Sequence, residues 1–125
     1  MRLSQSELNA ILRPRDTKTF VEKIKPKMNS TETRYANMLD LQVRYGHIKK
    51  YRFEAIKLRL ADQTTYTPDF QVVTLEGNVE FHEVKGGFIR EDAWIKLKIA
   101  AELYPEFKFH LWQWIKGQWN TKCMS

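Results

Sequence analysis

The sequence predicts an α/β domain, in finer terms an α+β fold with a central mixed sheet flanked by helices. Three observations carry this. A helix-period apolar stripe opens at a capping box near residue 29. Strand-like apolar runs follow one another between residues 51 and 85. A further helix-period run over 89–104 then separates them from another apolar run, an order that gives a mixed sheet flanked by helices.

In chain order, "SQSELNAILR" has Ser4 and Glu7 at capping-box spacing, with Leu8, Ile11 and Leu12 at helical intervals, and Pro14 ends it. Residues 13–28 are basic, poor in apolar side chains and hold two prolines, so 1–28 divide off as an N-terminal helix and basic arm, and 29–125 form the folded domain. Asn29 and Glu32 repeat the capping box. Tyr35, Met38, Leu39 and Gln42/Val43 continue it as a stripe, and Gly46 suits the position just past the helix end. "YRFEAIKLRLA" alternates, with Ile56, Leu58 and Leu60 on one face, and is the first strand. "TTYTPDFQVVTL" is the second, "EGN" a hairpin turn, and "VEFHEVK" the third, broken by Gly86-Gly87. Ile89, Ala93, Leu97, Ala100/Ala101 and Tyr104 share a helix face that Pro105 stops. "FKFHLW" is the fourth strand, and "QWIKGQWNTK" a turn with a short edge strand.

Formal net charge is +6, and residues 1–30 supply +4 of it, with seven Lys/Arg against three acids. Such a balance suits a polyanion, although a solvated basic surface has the same composition. No stretch nears the roughly 18 uncharged apolar residues of a membrane span. The N-terminus has no apolar core of a signal peptide, and the single Cys123 has no partner for an internal disulfide. The expectation from these features is a reducing cytoplasm and no membrane partner.

The chemistry concentrates in "TPDF" and "HEVKGG". Alternation puts Glu83 and Lys85 on one face of their strand. The hairpin brings Asp69 opposite that end of the partner strand. Two carboxylates held close repel unless a cation lies between them, and oxygen donors select a hard one, Mg²⁺ above all. Such an ion acidifies bound water and neutralises phosphate charge. The plainer alternative is that Asp69 caps a turn after Pro68 and that Glu83–Lys85 is an exposed ion pair of little energy. Two glycines directly after the strand favour the first reading, since they let another backbone approach.

With Pro68-Asp69 as "PD" and Glu83-Val84-Lys85 as "ExK", the run from "TPDF" to "EVKGG" resembles the signature of the PD-(D/E)xK nuclease superfamily. More narrowly it resembles small phage endonucleases, including Holliday-junction resolvases of the endonuclease I type, and the transposon end-cleaving nucleases share the core. The resemblance covers about residues 27–112. It implies a restriction-endonuclease-like core and a Mg²⁺-dependent DNA endonuclease, with Mn²⁺ able to substitute. It further implies phosphodiester hydrolysis on branched or structured DNA such as a four-way junction, and the host cytoplasm as compartment if the chain is phage-encoded. Many members carry a further ligand Glu on the helix before the sheet, and Glu32 holds that position, where it also fits N3 of the Asn29 capping box. Asp69, Glu83 and Glu32 are thus the implied metal ligands, and with Lys85 the implied catalytic set. A Lys after the ExK strand commonly meets phosphate in this superfamily, which selects Lys96.

Arg90 and Lys98 share the helix of Lys96, and Lys25 and Lys27 lie on the basic arm, which completes a DNA-binding set. Lys49, Lys50 and Arg52 suit surface charge. His82 falls on the face opposite Glu83 and suits a packed, hydrogen-bonded role. His47 and His110 have no partner at zinc-site spacing. Trp112, Trp114 and Trp119 suit core or interface better than base stacking. Because a junction has two strands to cut about a two-fold axis, a homodimer is expected, with the first helix docking on the partner. Two other functions fit the same fold: a non-catalytic DNA-binding or assembly module, and a restriction-type sequence-specific nuclease. The intact acids and lysine speak against the first, and the absence of an inserted base-reading loop against the second.

Overall fold

The computed structural model describes Ser4 and residues 27–125. The predicted first helix and most of the arm, Lys25 included, lie outside the described residues. Helix α1 spans Ser30–Arg44. Its N-terminus is the predicted capping box: Glu32 N–H donates to Asn29 Oδ1 at 2.7 Å, and Asn29 N–H donates to Glu32 Oε1 at 2.9 Å. Its C-terminus is a Schellman motif. His47 N–H reaches Gln42 O and Gly46 N–H reaches Val43 O, with Gly46 at φ +74°, a conformation glycine adopts without strain. Tyr35, Ala36 and Leu39 are buried, but the predicted stripe ends there, and Val43 is exposed.

The strands are β1 (Ile48–Phe53), β2 (Leu58–Ala61), β3 (Thr64–Tyr66), β4 (Phe70–Thr74) and β5 (Val79–Gly86), then β6 (Lys108–Ile115) and β7 (Gln118–Cys123), with α2 (Glu91–Leu103) between β5 and β6. Two predicted strands are therefore each divided. "YRFEAIKLRLA" breaks after Phe53, where Glu54 takes a φ of +46° and donates its N–H to Asp69 O at 2.7 Å. "TTYTPDFQVVTL" breaks at 67–69, where Pro68 has no N–H for a ladder. The two inner pieces pair as a separate β2–β3 hairpin. The terminal edge strand is fuller than predicted. β7 is six residues long, joined to β6 through Lys116 and Gly117, both at positive φ, which is the signature of a type I′ turn.

The main sheet has the order β1-β4-β5-β6-β7 and is mixed: β5 and β6 run parallel and the other neighbours antiparallel. One face carries Phe70, Val72 and Val84, and packs against Tyr35, Ala36 and Leu39 of α1. Trp112 and Trp119 close that layer, with ring centroids 5.4 and 5.2 Å from Tyr35, so both belong to packing. The other face carries Phe81, Phe109 and Leu111, and packs against Leu97, Ala100 and Ala101 of α2 and against Leu58 and Tyr66 of the small hairpin. Each face of β5 thus looks into a different core, which separates the polar groups that interrupt the two faces. Among the described residues, no helix is long and apolar enough to cross a membrane.

Candidate active site

The hairpin register pairs Phe70 with His82, which sets Asp69 beside the Glu83–Lys85 end of β5. Asp69 is 7% exposed and Glu83 6%. Asp69 Oδ2 accepts the N–H of Val84 at 2.8 Å, which ties the loop before β4 to β5. Glu83 Oε1 accepts the Tyr66 hydroxyl at 2.6 Å. Its other oxygen, Oε2, lies 3.4 Å from Lys85 Nζ, so alternation along the strand places acid and ammonium together as predicted.

The electrostatics of this end are unfavourable to charge. Burial, then the neighbouring Glu83 charge, pushes the Asp69 carboxyl up to about 8, against which the Val84 N–H and Lys85 act only in part. Burial also raises Glu83, opposed by the Tyr66 hydroxyl and Lys85. The Tyr66 phenol is itself raised by burial and by the Glu83 charge, so it stays a donor. A cluster this desolvated and mutually repulsive is the condition in which a cation binds to gain.

Glu32 belongs to the same neighbourhood. It is buried at the first turn of α1, and its charge raises both Asp69 and Glu54. Its Oε1 is engaged in the capping box. The end of β5 brings α1 this close because Gly86 has no side chain: a Cβ there would stand 2.6 Å from Thr31 Oγ1. Glu32, Asp69 and Glu83 still do not converge into one tight triad. Among the described residues, the set of three His, Cys, Asp or Glu ligand atoms all within 4.8 Å of one another is Glu80, His82 and His110, on the opposite face of β5.

Of the predicted basic residues, Lys96 is exposed on α2 and its Nζ reaches Thr65 O at 3.4 Å, beside Tyr66 and not in contact with the acids. Arg90 is exposed and pairs with Asp92 at 3.4 Å. Lys98 and Lys27 are exposed. Two residues escaped the sequence reading. Tyr66 holds Glu83. Gln113, paired with Lys85 across β5–β6, donates from Nε2 to Gly87 O at 3.1 Å and so fixes the glycine turn beside the lysine. The parity of the "EVK" strand and its neighbour could have indicated Gln113, but only once the β5–β6 register was known.

His82 is buried and hydrogen-bonded as expected, with Nδ1 2.5 Å from the Tyr35 hydroxyl and Nε2 3.0 Å from Glu80 Oε1. Glu80 accepts only, so Nε2 carries the proton and Nδ1 accepts from Tyr35. His110 is not partnerless: the parallel register sets it directly beside His82, with its Nε2 3.5 Å from the same Glu80 oxygen. The His82 hydrogen bond holds the Glu80 carboxyl below the usual range, and burial lowers His110.

A search among curated proteins and one among solved structures each find no match to this chain. The family model of DUF1064, described as a protein of unknown function, matches residues 12–124, and the chain belongs to that family.

Proposed function

We propose that the chain is a divalent-metal-dependent DNA endonuclease of the PD-(D/E)xK superfamily, with a restriction-endonuclease-like core. Its catalytic residues are Asp69, Glu83 and Lys85, with Glu32 as a further acid. The observation that supports it most is the burial of two repelling carboxyls at one end of β5, both raised toward the protonated form, with a lysine 3.4 Å from one of them. A structural ion pair needs one acid. A second, buried and opposed by the first, costs stability unless it serves a ligand.

The donor set fits a hard cation. Asp69 Oδ2 is oriented by the Val84 N–H and Glu83 Oε1 by the Tyr66 hydroxyl, Glu83 Oε2 lies beside Lys85, and every ligand is oxygen. Asp69 and Glu83 would hold Mg²⁺ or Mn²⁺, with Glu32 at the edge of the set. Bound there, the ion supplies positive charge toward a phosphate oxygen and a more acidic water. The chain's own residues do the rest. Val84 N–H and the Tyr66 hydroxyl orient the two carboxylates. Lys85 Nζ holds the attacking water beside them. The water gives its proton to solvent as its oxygen bonds to phosphorus and one phosphorus–sugar oxygen bond breaks, and the leaving oxygen takes a proton from solvent. Lys96 and Lys98 on α2, Arg90 at its N-cap, and Lys27 and Lys25 supply phosphate contacts that position the strand. Branched DNA is the substrate this reading favours, cut by a two-fold dimer.

The test is cleavage of a four-way junction, a linear duplex and a single strand of matched sequence by the purified full chain in Mg²⁺. Nicking that requires the ion and is lost in Glu83→Gln supports the reading. DNA binding without cleavage in Mg²⁺ or Mn²⁺ would instead support a non-catalytic binding module.

A further inference from the structure

We propose a second metal site, formed by Glu80, His82 and His110 on the α1-side face of the sheet, that takes a borderline divalent ion of the zinc class. The two histidines are register partners on the parallel strands β5 and β6, and Glu80 lies two residues before His82 on the same face. Both imidazole Nε2 atoms converge on one oxygen, Glu80 Oε1, at 3.0 and 3.5 Å. For metal–ligand bonds near 2.0–2.1 Å, a tetrahedron has ligand–ligand edges of about 3.3 Å. The two observed edges bracket that value.

All three ligand atoms lie within 4.8 Å of one another, and the third edge shortens by a turn of His110, whose side chain is 21% exposed. A metal-bound imidazole needs a partner at its other nitrogen, and His82 has one: Tyr35 lies 2.5 Å from Nδ1. On binding, His82 exchanges tautomer, with Nε2 giving its electron pair to the ion and Nδ1–H donating to the Tyr35 oxygen. Stacking on Trp112 at 6.2 Å fixes the plane of the ring. Glu80 is reachable from solvent, since it lines an open cavity of about 250 Å³ with Glu76, Glu106 and Lys108. The fourth position is therefore left to water.

Ligand chemistry separates this site from the carboxylate cluster. Two imidazoles and one carboxylate suit zinc, cobalt(II), nickel and copper over magnesium, whereas Asp69 and Glu83 offer oxygen alone. The neighbouring Lys108, whose charge acts on Glu80, weakens cation binding without supplying a ligand.

The experiment is calorimetric titration of untagged, EDTA-stripped full chain with ZnCl₂, and with CoCl₂ for the visible spectrum. One ion per chain is expected, with the intense bands of tetrahedral cobalt. His110→Ala, at a partly exposed position, should weaken zinc binding by about ten-fold or more, as should Glu80→Gln. Asp69→Asn should leave zinc affinity unchanged. A Lys108→Ala chain should bind more tightly, which keeps the test open even if a ligand variant folds poorly. The proposal is overturned if zinc does not saturate at one ion, or if Asp69→Asn abolishes the binding and His110→Ala does not. Neither result touches the Mg²⁺-dependent cleavage assay, which reads the other face.

Discussion

Glu80 and Glu83 stand three residues apart on one strand and face opposite ways, and their surroundings push them in opposite directions. Glu80 is held below the usual carboxylate range, because His82 donates to it and both histidines and Lys108 lie near. Glu83 is raised, because burial outweighs what Tyr66, Lys85 and the Asp69 N–H supply. The first acid is satisfied by the protein. The second is not, and its deficit is shared with Asp69. A charge the fold leaves uncompensated is a stronger pointer to a ligand than a charge it neutralises, since such a cost persists only where something repays it. Glu80 points to a ligand on other grounds, the convergence of two imidazoles on one oxygen.

Removing the uncompensated acids should have the largest effect on cleavage. Asp69→Ala or Glu83→Ala should lower Mg²⁺-dependent cleavage by at least about a hundred-fold, with the circular dichroism spectrum kept. Tyr51→Phe, which loses a hydroxyl bond to Asp40 on the α1 side, should cleave at the wild-type rate. Either acid variant cutting normally would remove that residue from the centre. Glu32 sharpens the boundary of the set. Glu32→Gln keeps the capping bond to Asn29 N–H, so melting should hold while cleavage falls about ten-fold. Cleavage and melting both unchanged would make Glu32 a cap alone.

A third measurement follows pH. A carboxyl raised in the folded state binds its proton more tightly there than in the unfolded chain. Between its unfolded value near 3.8 and about 8, the folded protein holds the extra proton, so stability declines as pH rises through that window. Metal-free protein should therefore melt at falling temperature from pH 5 to 8. Asp69→Asn should flatten the slope and raise melting at pH 8, and saturating Mg²⁺ should flatten it in the wild type. A slope unchanged by Asp69→Asn would assign it to other groups. The smallest effect is steric. Gly86→Ala drives a methyl into Thr31 Oγ1, and should cost about 1–3 kcal/mol in denaturant unfolding. Thr31→Ala in the same chain should restore most of it, and failure to do so would place the strain elsewhere.

The carboxylate cluster was legible in the sequence because it depends on short-range geometry. Glu83 and Lys85 share a face by alternation, and a tight hairpin brings Asp69 back beside them within fifteen residues. The capping box at Asn29 and the glycine at the end of α1 are local in the same sense. What the sequence concealed depends on backbone choices or long separations. Glu54 adopts positive φ without being glycine or asparagine, so the break after Phe53 has no residue marker. That break, with Pro68, carries Tyr66 over the α2 face to Glu83. His82 and His110 become neighbours only through the β5–β6 register, which a whole helix separates in the chain. Ligand-spacing rules that search along the sequence miss such a pair.

The single parallel pairing in the sheet also orders the events of folding. β4–β5 and β6–β7 are hairpins closed by a few residues, and hairpins form in about 1–10 μs. β5 and β6 meet only after α2 has formed and folded back across the sheet, a loop closure that carries the larger entropy cost. The two acids are therefore expected to come together in an early hairpin, and the imidazole pair in the later pairing of β5 with β6. Pulse-labelled amide exchange should find Val84 protected ahead of Phe109 and Leu111. A nascent chain would then gather the repelling carboxylates before it has a complete core to hold them.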